Sequence, residues 1–340
     1  MKDPEAQRLR IGILGAADIA RAFVAGVRPS DTVEVTAVAS RDIAKAKRFA
    51  AENGVTCAYG SYRELLTDPA VDAIYNPLPN SLHAEWSIRA IEAGKHVLCE
   101  KPLAATAAEA RDMFAAAQRH ARTLREGFPY RSQPHALKLQ ELLESGAIGH
   151  VQTMQAAIGF TIADVANIRF NPALAGGALM DAGTYPVSLV RLVAGKRPTR
   201  VHAFASWHAS GVDQTLVAAL EHPGGLLAQI SCSMVTGLHR QAIIAGTAGT
   251  IQTGYPNHSP PDSSVALQVK RGVKWDAAVE TLPVPGGNGF RAEAESFERL
   301  IRLGPEHWTG ASPEESVDIL LTLEAILASA RSRLPVDIAE

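Results

Sequence analysis

Cysteine is scarce in this chain of 340 residues. Cys57, Cys99 and Cys232 stand far apart, are odd in number and include no CxxC pair. That excludes a disulfide framework and points to a reducing compartment. Charge of one sign is also lacking: Lys and Arg number 33, Asp and Glu 35, for a net charge of −2. No basic run interleaved with aromatics occurs, so nucleic acid is not an expected partner. No apolar run approaches the roughly 18 residues of a spanning helix, and the polar N-terminus Met1–Arg8 has no apolar core of a leader peptide. A soluble, cytoplasmic protein without a membrane partner is expected. The eleven histidines show no HExxH or other ligand spacing, and no GxSxG elbow or Walker loop is present, so no metal is predicted. Internal repeats and low-complexity segments are absent. What is present is apolar: 46% of residues, enough for the cores of about two domains.

The first third alternates strands with helices. Arg10–Gly15 reads as a buried parallel strand, followed by a tight turn and an alanine-rich helix over Ala17–Val27. Strand, glycine turn and helix form the context of a dinucleotide fingerprint. The fit to G-x-G-x-x-G/A is partial: Gly15 and Ala20 hold the first and third positions, and Ala17 replaces the second glycine. Gly15, Ala16, Ala17, Asp18 and Ile19 are the candidate pyrophosphate contacts. The next strand, Thr32–Ala39, ends in Ser40-Arg41-Asp42. An acid near this point usually accepts from the ribose 2′-hydroxyl of NAD, whereas a hydroxyl and a guanidinium suit the 2′-phosphate of NADP. Ser40 and Arg41 therefore favour NADP, with NAD as the other candidate, since Asp42 is either a helix N-cap or a ribose contact. Further strands at Val71–Tyr75, Lys95–Glu100 and Glu126–Arg131 alternate with helices ending at Asn53-Gly54, at Ala93-Gly94 and near His120, the last opened by a Thr106-x-x-Glu109 box, and with a short helix opened by a Ser61-x-x-Glu64 box. This pattern predicts a doubly wound parallel sheet over residues 1–128. Ligands bind beyond the carboxyl ends of such strands, which singles out Pro77, Asn80, His83 and Glu100-Lys101-Pro102. His83 is either a ligand contact or a residue of a first helical turn.

Lys101 precedes a proline and is held extended. Oxidation of a carbinol requires its hydroxyl proton to leave as hydride departs. A lysine near a cationic ring has a lowered pKa and can take that proton. The bland alternative is a surface lysine.

Ile11-Gly12-Ile13-Leu14-Gly15-Ala16-Ala17, Pro79-Asn80-Ser81-Leu82-His83 and Ala93-Gly94-Lys95-His96-Val97-Leu98-Cys99-Glu100-Lys101-Pro102-Leu103 together resemble the glucose–fructose oxidoreductase, inositol dehydrogenase and rhizopine catabolism (Gfo/Idh/MocA) family. The branch they resemble holds dimeric dihydrodiol dehydrogenase and NADP-dependent aldose dehydrogenases. A second stretch, Asn171–Pro186, is similar to the family's Gly-Gly…Asp-x-Gly…Tyr/His pattern. The resemblance implies that Asp181 and Tyr185 approach Lys101 across a cleft. By spacing alone Asp181 and Tyr185 share a helix face. Without the resemblance, a helix-end charge and a buried aromatic are the better readings.

From Arg200 onward, consecutive strands with few helices predict a mostly antiparallel sheet in a domain over 129–340, whose last helix is a candidate to pack back on the first domain. The resemblance implies that this sheet's open face pairs subunits into a homodimer or higher homo-oligomer. The expected function is an NAD(P)-dependent oxidoreductase moving a hydride between nicotinamide and a carbinol or hemiacetal carbon of a sugar, sugar derivative or cyclic diol. Lys101, Asp181 and Tyr185 are its catalytic candidates, and Tyr130 and Arg169 further substrate contacts. The alternative is a non-catalytic NADP-binding sensor. Gln133 and Asn76 depart from the residues expected in the family and are read as cleft-lining.

Overall fold

The structure, a computed structural model, describes residues 8–259 and 263–338. Most of the segment on which the leader peptide was judged, residues 1–7, lies outside the described residues. In chain order the elements are β1 (Leu9–Leu14), α1 (Asp18–Val27), β2 (Val33–Ala39), α2 (Ile43–Asn53), β3 (Cys57–Tyr59), α3 (Tyr62–Leu66), β4 (Ala73–Asn76), α4 (His83–Glu92), β5 (His96–Glu100), α5 (Ala107–Arg119) and β6 (Leu124–Gly127). There follow α6 (Pro134–Glu144), β7 (Val151–Thr161), α7 (Thr184–Ala194), β8 (Arg200–Trp207), β9 (Asp213–Glu221), β10 (Leu227–Ser233), β11 (Val235–Gly246), β12 (Gly249–Thr253), β13 (Ser264–Arg271) and β14 (Val279–Pro285). The chain closes with α8 (Gly289–Leu303), α9 (Pro313–Ser332) and β15 (Val336–Asp337). No helix among the described residues is long and apolar enough to cross a membrane.

Two compact units result: residues up to Ser132 together with Asn288–Pro313, and Gln133–Gly287 together with Glu314–Glu340. The boundary expected after residue 128 falls four residues later. The helix that returns to the first unit is α8, not the last one.

The first unit holds a six-stranded parallel sheet in the order β3-β2-β1-β4-β5-β6. Its central strand is apolar on both faces, with Ile11, Ile13 and Leu14 at zero exposure, because helices cover both sides. Phe23 of α1 stacks on Tyr75 of β4 at 3.8 Å between ring centroids and meets Phe290 of α8 edge-on at 5.6 Å. Phe290, Ala294, Phe297 and Leu300 recur at helical spacing and join this core. That stripe explains why α8 belongs here, each large apolar side chain contributing about 1.5–3 kcal/mol on burial. Strand β3 was not read from sequence: it is three residues long and sits at the edge. Strand β6 stops at Gly127, and Pro129–Ser132 forms a 3₁₀ turn rather than continuing the strand to Arg131.

The second unit holds a nine-stranded sheet in the order β14-β13-β12-β11-β7-β10-β9-β8-β15. It is antiparallel except where β10 runs parallel to β7. Strand β9 alternates buried and exposed residues along its second half, as a sheet with one covered face requires. Strand β14 runs through Pro283 and Pro285, beyond the end expected at Leu282, and does so as an edge strand, where a missing N–H costs no ladder bond.

Candidate active site

In the first unit the carboxyl ends of the strands line up. Leu14 is level with Ala39, Asn76 with Cys99, and Glu100 with Gly127. Gly15 leaves β1 at φ +94, a left-handed conformation that glycine adopts without strain, and its N–H donates to Ala39 O at 2.8 Å. A Cβ there would stand 3.2 Å from Leu78 and 3.8 Å from the Tyr62 hydroxyl. Ala17 caps α1 without a side-chain acceptor, which leaves the first-turn amides to an anion. Ala16 is buried, while Asp18 and Ile19 are exposed beside the turn. These features fit a dinucleotide pyrophosphate.

The end of β2 resolves the role of Asp42. Its Oδ1 accepts from Ala44 N at 2.8 Å and Lys45 N at 3.4 Å, capping α2. Ser40 is buried and Arg41 exposed. Arg41 is a hydrogen-bonding neighbour of the Tyr62 phenol, whose pKa burial raises against the opposing pull of that guanidinium. The exposed group at this strand end is therefore a cation with a tyrosine behind it. Tyr62, which also meets Trp86 edge-on at 4.8 Å, was not singled out from sequence; only the capping box beside it was noticed.

At the ends of β4 and β5 the side chains hold each other. His83 is fully buried, with Nδ1 2.8 Å from Pro102 O and Nε2 2.7 Å from Leu78 O. Burial pushes its pKa down to about 4; the two carbonyls oppose this and the Lys101 charge adds to it. Both ring nitrogens face backbone, so His83 ties two loops together rather than offering a nitrogen to a ligand, a correction to its reading as a cofactor contact. Asn76 has zero exposure and donates to His83 O at 3.2 Å and Ser87 Oγ at 3.0 Å, while accepting from Leu78 N at 3.3 Å. It is a scaffold residue and not cleft-lining, the second correction. Pro77 is buried and Asn80 half-buried.

The Lys101–Pro102 peptide is cis. Lys101 is half-buried, and its N–H donates to Glu100 Oε2 at 3.3 Å. Glu100 Oε1 accepts from the Tyr75 hydroxyl at 2.6 Å, and Leu103 N donates to Glu126 Oε1 at 2.9 Å. Two carboxylates thus grip the amides on either side of the proline. Tyr130 has zero exposure and packs edge-on against Phe128 at 6.2 Å. The 3₁₀ turn that replaces the strand end turns it inward, which removes it from the substrate contacts.

In the second unit Asp181 lies in a π-turn, Leu179–Gly183, that runs directly into α7. The wide turn precedes Pro186, whose missing N–H and bulky ring disfavour an ordinary α-turn. The kink expected a turn before this proline is therefore a local widening. The Gly176-Gly177 pair is required by close packing: Gly177 has φ +120, and a Cβ on it would collide with Asp213 Oδ1. Buried Asp213 in turn accepts from Leu179 N at 2.7 Å, and burial raises its pKa. Arg169 Nε donates to Asp181 Oδ2 at 2.5 Å, joining two candidates in one ion pair.

Tyr185 is mostly buried, and its hydroxyl oxygen accepts from Asn257 Nδ2 at 2.8 Å. Because that oxygen is the acceptor, the phenol proton points away from Asn257. Arg240 places its guanidinium carbon 4.3 Å from the Tyr185 ring centroid and 4.6 Å from that of Tyr255, and donates to Asn257 Oδ1 at 3.1 Å. Arg240 and Asn257 were not read from sequence: one is a lone cation in a strand and the other follows a proline in a loop. Gln133 is buried and donates to Asn257 O at 2.7 Å and Gly287 O at 2.8 Å, so it supports this loop and does not line a cleft.

Residues 9–128 match the family described as an oxidoreductase family with an NAD-binding Rossmann fold, and residues 136–252 match the GFO/IDH/MocA C-terminal domain. A D-xylose 1-dehydrogenase (NADP(+)) from Haloferax volcanii is 36% identical over 337 residues, 97% of this chain and 100% of that one. A trans-1,2-dihydrobenzene-1,2-diol dehydrogenase from Xenopus laevis is 36% identical over 86% of this chain and 89% of its own length. Among solved structures, a 3-ketoreductase from Actinomadura kijaniata in complex with NADP and TDP-benzene has a TM-score of 0.86 at 29% identity, covering 95% of this chain and 98% of that one. A chain whose parallel sheet aligns its strand ends in this way, and which matches these relatives along nearly its whole length, belongs to the Gfo/Idh/MocA family of oxidoreductases.

Proposed function

We propose that the protein is an NADP-dependent oxidoreductase that acts on a secondary carbinol or hemiacetal carbon of a sugar, sugar derivative or cyclic diol. The observation that carries the reading is the shared sheet edge at which Gly15, Ser40-Arg41 and Glu100-Lys101-Pro102 emerge. The NADP assignment is supported by Asp42, whose Oδ1 caps α2, and by the exposed guanidinium of Arg41 at the same strand end. Relatives named as a D-xylose dehydrogenase and a dihydrodiol dehydrogenase support the substrate class.

When bound, the cofactor supplies the hydride acceptor. The chain's own groups handle the proton and the oxygen. Lys101 takes the hydroxyl proton as the carbonyl forms and returns it in the reverse direction. Tyr185, with its oxygen already accepting from Asn257, donates to the same substrate oxygen. Asp181 and Arg169, joined as an ion pair, orient neighbouring hydroxyls. A homodimer formed through the open face of the nine-stranded sheet is supported by Phe204, which is 55% exposed and registered against Val217, 48% exposed.

The test is NADP reduction with a panel of aldoses, inositols and dihydrodiols, run beside Lys101→Ala. Turnover that falls at least a hundredfold in the variant, with NADP binding retained, is the expected result. No turnover of any panel member at high enzyme favours a binding protein without chemistry; a variant as fast as the parent removes Lys101 from the proton transfer.

A further inference from the structure

A guanidinium is clamped beside the proposed donor Tyr185. It belongs to Arg240, which lies on β11 in register with Ile158 of β7. Along β11, Ala242 and Ile244 are buried while Gln241 and Ile243 are exposed, so Arg240 points to the covered face of the sheet. Its guanidinium carbon stands 4.3 Å from the ring centroid of Tyr185 and 4.6 Å from that of Tyr255. Tyr255 is buried, and its hydroxyl donates to Ala157 O at 2.9 Å. Its backbone has φ +33, a left-handed geometry that a bulky residue keeps only where its surroundings fix it.

The amide of Asn257 lies between this cation and the phenol. Arg240 Nη2 donates to Asn257 Oδ1 at 3.1 Å, and Asn257 Nδ2 donates to the Tyr185 hydroxyl oxygen at 2.8 Å. A guanidinium has donors and no acceptor, so the amide oxygen must face it and the NH2 is left to face the phenol. Gln133 Nε2 ties down the backbone of the same asparagine, at 2.7 Å from Asn257 O. The order cation, amide, phenol therefore runs one way: Tyr185 receives through its oxygen, and its own proton is directed away from Asn257. Two other phenols of this chain show the opposite arrangement. Tyr59 donates to Asp68 Oδ2 at 2.7 Å and Tyr75 to Glu100 Oε1 at 2.6 Å, so their protons are committed to carboxylates. That bond is the main reason why the Tyr59 pKa is pushed up to about 12.

We propose that Arg240, acting through Asn257, is a positioning residue that fixes the direction of the Tyr185 hydrogen bond and so keeps the phenol a donor, a role that rests on the reading of Tyr185 as a group serving the substrate oxygen. The guanidinium also lays positive charge over the ring, which favours the phenol oxygen as its proton is shared. An aspartate in place of Asn257 keeps the shape and the bond to Arg240 but offers its second oxygen to Tyr185. The phenol then turns its proton toward that carboxylate and away from the substrate. An alanine removes the amide without reversing the bond. Aspartate is therefore the more damaging change for the reaction, although it is the more conservative one for packing. The other groups that the Arg240 charge reaches are His135 and His258, whose pKa values are lowered to about 4 by desolvation first and by that charge second, so both stay neutral above pH 7. Asp181, one helical turn before Tyr185, is held by Arg169.

The experiment measures kcat on the aldose, inositol or dihydrodiol that the parent turns over fastest, for Asn257→Asp, Asn257→Ala and Arg240→Met, each alone and combined with Tyr185→Phe. Asn257→Asp is expected to lose at least tenfold and to come within threefold of Tyr185→Phe, with KM and NADP binding within threefold of the parent. Asn257→Ala is expected to lose fivefold or less. Arg240→Met, which frees the amide to turn over, is expected to lose at least threefold. In the Tyr185→Phe background none of the three should cost more than twofold, because the phenol proton on which they act is gone. A merely structural role gives the reverse order, with Asn257→Ala slower than Asn257→Asp, and losses that persist without the phenol; either result overturns the proposal. Independently of turnover, the 13C resonance of Tyr185 Cζ, assigned by its absence from Tyr185→Phe, should titrate at least one pH unit higher in Asn257→Asp than in the parent, and an unmoved titration also overturns the proposal. If Tyr185→Phe is as fast as the parent, or no panel member reacts, the reading of Tyr185 fails instead, and the titration still decides whether Asn257 governs the phenol.

Discussion

Asn76 carries more of this site's geometry than its side chain's size suggests. Replacing it with leucine removes three buried hydrogen bonds and orphans partners on α4 and the β4 loop. Each buried orphan costs about 1–3 kcal/mol, so Asn76→Leu should lower the unfolding free energy measured in urea by several kcal/mol in total; an unchanged midpoint refutes the scaffold role. Arg41 has the opposite character: it is exposed, and its replacement should leave stability alone. A charge-assisted contact to phosphate is worth about 1.5–3 kcal/mol, so Arg41→Ala should raise the Kd for NADP at least tenfold and that for NAD less than threefold. Equal losses remove the 2′-phosphate argument. These residues also mark where sequence reading succeeds. The places of Gly15, Arg41 and Lys101 at strand ends were legible because a glycine turn, a strand end and a proline mark them. Asn76, His83 and Tyr130 were misread because their partners are backbone groups and rings brought together only by folding.

At the scale of elements, the loops leaving β4 and β5 are joined through one imidazole. His83 is neutral in the fold, with a pKa near 4 against 6.5 unfolded. Between those values the unfolded chain binds a proton that the native chain does not, so stability rises with pH and is lost as pH falls from 6.5 toward 4. The full difference is about 3 kcal/mol at 1.36 kcal/mol per pH unit. Thermal melts between pH 7 and 5 should fall more steeply for the parent than for His83→Asn; parallel slopes contradict this. Element types were largely legible. The parallel and antiparallel halves follow from whether helices separate the strands, and α2, α6 and α8 fell within a residue of their expected limits. What was missed follows from context: β3 is too short to carry a pattern, and the π-turn before α7 depends on Pro186 and on the packing of Gly177 against Asp213.

At the scale of the whole molecule, the chain leaves its first compact unit after Ser132 and returns to it with α8. Nothing local in the sequence of α8 announces that return; its apolar stripe would suit either unit, and only the ring of Phe290 against Phe23 settles which core it joins. The exposed row of the second sheet raises the question of assembly. Phe204→Glu should convert a dimer to a monomer in sedimentation, and a parent already monomeric at micromolar concentration refutes the paired-sheet expectation. The central proposal is chemical: the Lys101 amine and the Tyr185 phenol both act on the substrate oxygen. Single-turnover rates for Lys101→Met, Tyr185→Phe and the double variant, measured at saturating NADP and sugar, test it most directly. The account predicts that the double variant is little slower than the slower single one. Losses that multiply, or a Lys101→Met rate equal to the parent's, would contradict it.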